Sequence, residues 1–222
     1  MYLTWSTYAE KKILLLILLI VCIGTSPAQN KTALVIGNSG YQYFPKLQQA
    51  GQEAGSMKAA LERLGFEVIY VTDGSYDRMY DALDSFEHKF KQRGGIVLFH
   101  FRGHGIQVNS ENYLLPVDKD SPDELRVRSR AMNASEVVDL MAAAGSATII
   151  VILDACRDNP LPAQARSANS RGLAILQAPV NTVVVYSAEA GQTAEDGVRP
   201  RRGKLSCKRH RTREPYCHYE IL

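Results

Sequence analysis

Cysteine is scarce in this chain of 222 residues: there are four, at positions 22, 156, 207 and 217. Two lie in the last stretch and one near the start, so Cys156 stands alone in the body, which excludes a disulfide framework as the basis of the fold. A long hydrophobic run is also missing. The best candidate, residues 13–24, covers only about a dozen positions, too short for a bilayer that needs roughly 20 helical residues. Preceded by Lys11 and Lys12 and followed by Ser26-Pro27-Ala28, it reads as a signal peptide, residues 1–28, cleaved after Ala28. The expected location is therefore outside the cytoplasm, periplasmic or extracellular, with no stable membrane anchor after cleavage. Lipidation of Cys22 is not expected, because Leu19-Ile20-Val21 lacks the small residue that usually precedes a lipidated cysteine.

No excess of one charge runs through the protein either. The formal balance is +3, but residues 198–222 hold eight Lys/Arg against two Glu, which leaves −3 for everything before them. With no helical or strand periodicity apparent, residues 198–222 are expected to be a disordered basic tail. Non-specific attraction to anionic surfaces is the simplest consequence of that tail, so no specific nucleic-acid partner is expected. Internal repeats are absent. Gly37-Asn38-Ser39-Gly40 lacks the third glycine and the spacing of a dinucleotide fingerprint. Cys207, His210, Cys217 and His218 match no structural zinc spacing, and Asp118, Asp120, Asp123 and Glu124 follow no EF-hand pattern. No cofactor is expected, and a calcium requirement is left open.

What is present is an alternation of buried strands and amphipathic helices from Lys31 onward. Residues 33–36, 68–71, 96–99, 149–153 and 183–186 are apolar runs without polar alternation, as in strands covered on both faces. Ala54, Met57, Leu61 and Leu64 recur at helical spacing and stop at Gly65. Met79, Leu83, Phe86 and Phe90 repeat the pattern between a Ser75 cap and Gly94-Gly95. A third helix begins at Asn133, with Glu136 placed for a capping box, and buries Val137, Leu140 and Met141. The order implies an α/β fold with a mostly parallel sheet. Residues 108–119 read as a small antiparallel excursion, and residues 158–171 as a loop.

Two motifs follow directly on buried strands: Gly103-His104-Gly105 and Asp154-Ala155-Cys156-Arg157, with His104 and Cys156 separated by 52 residues. A thiol that hydrolyses amides needs a general acid/base and oxyanion donors. His104 supplies the first, and the backbone N–H groups of Gly105 and Cys156 are candidates for the second. As an imidazolium, His104 would also lower the thiol pKa of Cys156. His100 reads as a core or edge residue, and for Arg102 three roles stand open: a cation pointing to solvent, which is favoured, a partner of Asp154, or a stabiliser of the Cys156 thiolate.

Together with Lys31-Thr32-Ala33-Leu34-Val35-Ile36-Gly37-Asn38-Ser39, Leu64-Gly65-Phe66, Asn112-Tyr113-Leu114-Leu115-Pro116, Cys156-Arg157-Asp158-Asn159-Pro160 and residues 191–197, these motifs resemble the bacterial caspase-like cysteine peptidases related to metacaspases and orthocaspases. The resemblance implies a caspase-type three-layer sandwich over residues 29–197, incomplete at its C-terminal side, with helices flanking a mostly parallel sheet. It makes His104 and Cys156 the catalytic dyad of an endopeptidase acting on polypeptides. In metacaspase-like members an acidic pocket accepts Arg or Lys on the acyl side of the cut. Asp154 matches one of its acids, and Glu53, in Gln52-Glu53, stands where relatives carry an Asn-Asp pair. Relatives are often cut after the nucleophile, which makes Arg166 and Arg171 candidate self-cleavage sites. The rival expectation is a catalytically inactive interaction domain on the same fold, given Arg102, the altered acid and the basic tail.

Overall fold

The computed structural model describes residues 30–93, 95–120, 124–146, 148–156, 173–186, 203–210 and 213–221. Five strands form a parallel sheet: β1 (Lys31–Gly37), β2 (Glu67–Thr72), β3 (Ile96–Val108), β6 (Thr148–Cys156) and β7 (Thr182–Tyr186), in the spatial order β2-β1-β3-β6-β7. β3 runs on past the parallel part. Its last residues pair antiparallel with β4 (Glu111–Leu114), which pairs in turn with β5 (Met132–Asn133).

Alternation along the strands divides the core into two layers. On one face Leu34, Ile36, Phe99, Phe101, Val151 and Leu153 pack with α2 (Tyr76–Arg93) and α4 (Ala134–Ala143). On the other, Ala33, Val35 and Leu98 pack with α1 (Ala50–Arg63). The result is the three-layer α/β/α sandwich expected from the order of the elements. The aromatic pair Phe86 and Phe90 is fully buried at 4.8 Å between ring centroids, and each ring contributes about 1.5–3 kcal/mol through burial alone. A smaller cluster of Tyr41, Phe44, Leu47, Ile106, Tyr113, Leu115 and Val127 fills the space beneath the loops at the carboxyl edge.

The helix ends follow local chemistry. Gly65 stops α1 with φ +82°, a conformation that side-chain-bearing residues avoid. Ser75 Oγ accepts from the Arg78 N–H at 3.3 Å, as a cap of α2 should. Asn133 caps α4 by accepting from the Ser135 N–H at 2.8 Å, and its amide donates to Glu111 at 3.1 Å, while Glu136 is exposed. The short α3 (Glu124–Ser129) and β5 were not legible in the sequence: neither is long enough to display a period.

Within residues 198–222, β8 (Gly203–His210) and β9 (Arg213–Ile221) pair as a separate antiparallel sheet. Their register sets Leu205 opposite Tyr219, Cys207 opposite Cys217 and Gly203 opposite Ile221, while Lys204 falls opposite Glu220 and Ser206 opposite His218. A period of two therefore lies beneath the basic composition. Among the described residues no helix is long and apolar enough to cross a membrane.

Candidate active site

β3 and β6 carry the site between them. Their parallel register runs from Ile96 opposite Thr148 to His104 opposite Cys156, and it sets Arg102 opposite Asp154. β1 ends alongside, with Gly37 opposite Arg102. β1 and β6 end, and the parallel part of β3 stops, at the carboxyl edge of the sheet, where α/β proteins gather their functional groups. Because side chains alternate, His100, Arg102 and His104 share one face of β3, the phase of Leu98 that α1 covers.

His104 is held on several sides. Its backbone N–H donates to Tyr41 Oη at 2.7 Å, and Tyr41 Oη donates onward to the Leu115 carbonyl at 3.2 Å. The Tyr41 ring lies 4.5 Å from the imidazole centroid and the Phe44 ring 6.3 Å away. Nε2 of His104 sits 2.8 Å from the Pro45 carbonyl oxygen. A carbonyl only accepts, so this bond assigns the proton to Nε2 and leaves Nδ1 as the basic nitrogen of the neutral ring. Gly103 is what lets Tyr41 come so close: a Cβ there would lie 2.5 Å from Tyr41 Oη and 2.8 Å from the Phe101 ring.

The loop of residues 38–49 that supplies Tyr41, Phe44 and Pro45 is itself pinned. Buried Asn38 accepts from the Gly74 N–H at 2.9 Å and donates to the Leu115 carbonyl at 2.9 Å, while its backbone N–H reaches the Arg102 carbonyl at 2.9 Å. The Asp73 carboxylate accepts from Ser39 N–H and Gly40 N–H, both at 2.7 Å. Across the site, Asn112 exchanges two 2.7 Å hydrogen bonds with Ala174, and Tyr186 Oη joins Leu176 N–H at 2.8 Å, so the segment of residues 173–176 is fixed beside Gly105.

Arg102 does not point to solvent. Its side chain is 7% exposed and runs beneath two carboxylates, with Nε 2.6 Å from Glu53 Oε2 and Nη1 2.7 Å from Asp154 Oδ1. Of the three roles open to it, the pairing with Asp154 is present and the favoured solvent position is not, because an arginine whose guanidinium meets two acids is stable in a buried place where a lone one is not. The acids are the more accessible partners, Glu53 at 43% and Asp154 at 27%. His100, also buried, has its pKa pushed down to about 4 by desolvation; Asp154 opposes the shift and Arg102 adds to it. His100 is thus a neutral core residue.

The structure brings His104 and Cys156 to one register position, with Gly105 one step beyond, and gathers Glu53 and Asp154 around Arg102. Arg166 and Arg171, and the proposed signal segment, lie outside the described residues. Of the loop acids, Asp118 accepts from the Tyr76 N–H at 3.0 Å and Asp120 pairs with Lys119 and Arg126. Among the described residues no cluster of three or more His, Cys, Asp or Glu suits a metal ion. Sequence reasoning missed Tyr41, Pro45 and Asn38. Pro45 acts through its carbonyl, which leaves no trace in residue type, whereas the glycine before His104 hints at the close approach of Tyr41.

The comparisons with known proteins agree with this fold. A caspase-domain family model matches residues 30–206. Among curated proteins, the human mucosa-associated lymphoid tissue lymphoma translocation protein 1 is 27% identical over 130 residues, 59% of this chain and 15% of that protein. Its homolog from Mus musculus is 27% identical over 134 residues, 60% of this chain and 16% of that protein. The chain thus matches about a sixth of the length of these relatives. With a family match over most of its length, on a parallel sheet flanked by helices, the chain belongs to the caspase-domain family of cysteine peptidases.

Proposed function

We propose that this chain is an exported cysteine endopeptidase in which His104 and Cys156 act as a dyad and a basic residue on the acyl side of the cut is received by Asp154 and Glu53. The observation that carries this reading is the register of β3 and β6, which sets His104 opposite Cys156 where their parallel pairing stops at the carboxyl edge. With Nε2 donating to Pro45, Nδ1 of His104 takes the thiol proton. The thiolate then attacks the scissile carbonyl carbon, and the oxyanion is met by the N–H groups of Gly105 and Cys156. The imidazolium returns its proton to the departing amine nitrogen as the C–N bond breaks. Water, deprotonated by the same imidazole, hydrolyses the thioester and frees the thiol. Residues 1–28 act as the export signal, and Arg166 and Arg171 are sites where the enzyme cuts itself.

The test is turnover of fluorogenic peptides ending in Arg or Lys by the chain from residue 29 onward, alongside Cys156→Ala and His104→Ala. Both variants are expected to lose hydrolysis, each nearly as completely as the double variant, because the dyad acts as a unit. Persistent turnover in both would remove the assignment.

A further inference from the structure

Resting on the acidic subsite of that reading, we propose that Arg102 is an internal occupant of the subsite, whose guanidinium neutralises part of the Glu53 and Asp154 charge and so weakens the preference of the enzyme for a basic residue. Arg102 reaches the acids from below and binds one oxygen of each, Nε to Glu53 at 2.6 Å and Nη1 to Asp154 at 2.7 Å. This is the contact that a substrate guanidinium would make from above. The arginine side chain is buried while both carboxylates remain partly accessible, so a substrate cation approaching from solvent meets two negative groups already backed by a fixed positive one. The trio carries one net negative charge instead of two. Arginine stays protonated throughout the working pH range, so this neutralisation is permanent and is not relieved by titration. Attraction for Arg or Lys persists but at reduced strength. An alternative with the same contacts is that Arg102 mainly orients the two carboxylates, and it predicts an effect of opposite sign.

The experiment compares the parent with Arg102→Met, which keeps the packed stem without the charge, and with Arg102→Gln, which keeps hydrogen bonding to the acids and guards against a folding loss. Arg102→Lys retains the charge as a control. Each is given matched peptides ending in arginine or in citrulline, its neutral isostere, and the ratio of kcat/KM is measured. In parallel, N-acetyl-arginine amide and its citrulline counterpart are titrated and followed by NMR. The Arg-to-citrulline ratio should rise about tenfold or more in the two neutral variants, equivalent to about 1.4 kcal/mol, and stay within about threefold of the parent in Arg102→Lys. A ratio that is unchanged or lower in a neutral variant that is folded by circular dichroism would overturn the proposal. Tighter binding of the arginine amide without turnover of any peptide by any form would sustain the role of Arg102 and sink the peptidase reading instead.

Discussion

Removing a single oxygen, in Tyr41→Phe, tests how His104 is held. The substitution keeps the ring that lies 4.5 Å from the imidazole and deletes only the hydroxyl, which accepts from the His104 N–H at 2.7 Å and donates to the Leu115 carbonyl at 3.2 Å. The two lost bonds are not equal. The Leu115 carbonyl still receives the Asn38 amide at 2.9 Å, so it remains satisfied, whereas the His104 N–H is buried and loses this acceptor. Leaving one buried donor unsatisfied costs about 1–3 kcal/mol, and a lone hydroxyl-sized gap adds little beside it. Urea denaturation should therefore show a lower midpoint at unchanged slope, and His104 amide exchange should quicken. On the proposed mechanism peptide turnover should fall with kcat more than with KM, because His104 is displaced while Glu53 and Asp154 are not touched. Alkylation of Cys156 by a small thiol reagent should change much less. A stability change under about 0.5 kcal/mol with unaltered kcat would refute the idea that Tyr41 positions His104 through its hydroxyl.

His100 makes a prediction about acid. It stays neutral in the fold down to about pH 4, whereas in the unfolded chain it protonates near its ordinary value of 6.5. Stability should therefore be complete above pH 6.5 and decline as the pH falls toward 4, by on the order of 3 kcal/mol, with His100→Leu flattening that part of the profile. Gly103→Ala should impair His104 as Tyr41→Phe does but more severely, since its Cβ would stand 2.5 Å from Tyr41 Oη; wild-type turnover would contradict the close approach. Phe90→Ala, far from the site, should lower unfolding free energy by about 3–5 kcal/mol through the cavity it leaves, and leave the Arg-to-citrulline ratio alone.

Much of the sandwich was legible because a strand buried on both faces leaves an unbroken apolar run, and all five such runs became strands of the parallel sheet. That His104 and Cys156 lie at the same edge of the sheet was legible from the two motifs that follow apolar runs. Pairing of Arg102 with Asp154 was among its open roles, and register would have favoured it over solvent: the offset that aligns 104 with 156 also aligns 102 with 154. The second acid, Glu53, comes from α1 and lies beyond any strand register. By contrast, the Pro45 carbonyl and the Asn38 bridge arise from a loop path that no periodicity encodes. In the tail, the density of Lys and Arg concealed an alternation that becomes visible only when β8 and β9 are laid side by side.

β3 is at once the centre of the core and the carrier of the site, because Phe99 and Phe101 face one layer while His100, Arg102 and His104 face the other. Such a strand is less tolerant of changes in length than of substitution, because a substitution acts at one position and a change in length acts on every residue beyond it. Losing or gaining one residue between Leu98 and His104 would exchange the two sets, turning the aromatic rings toward Glu53 and Asp154 and the ionisable groups into the hydrocarbon layer. Variation in this protein should therefore be confined at β3 to replacement, with insertions and deletions displaced into the loops that follow it.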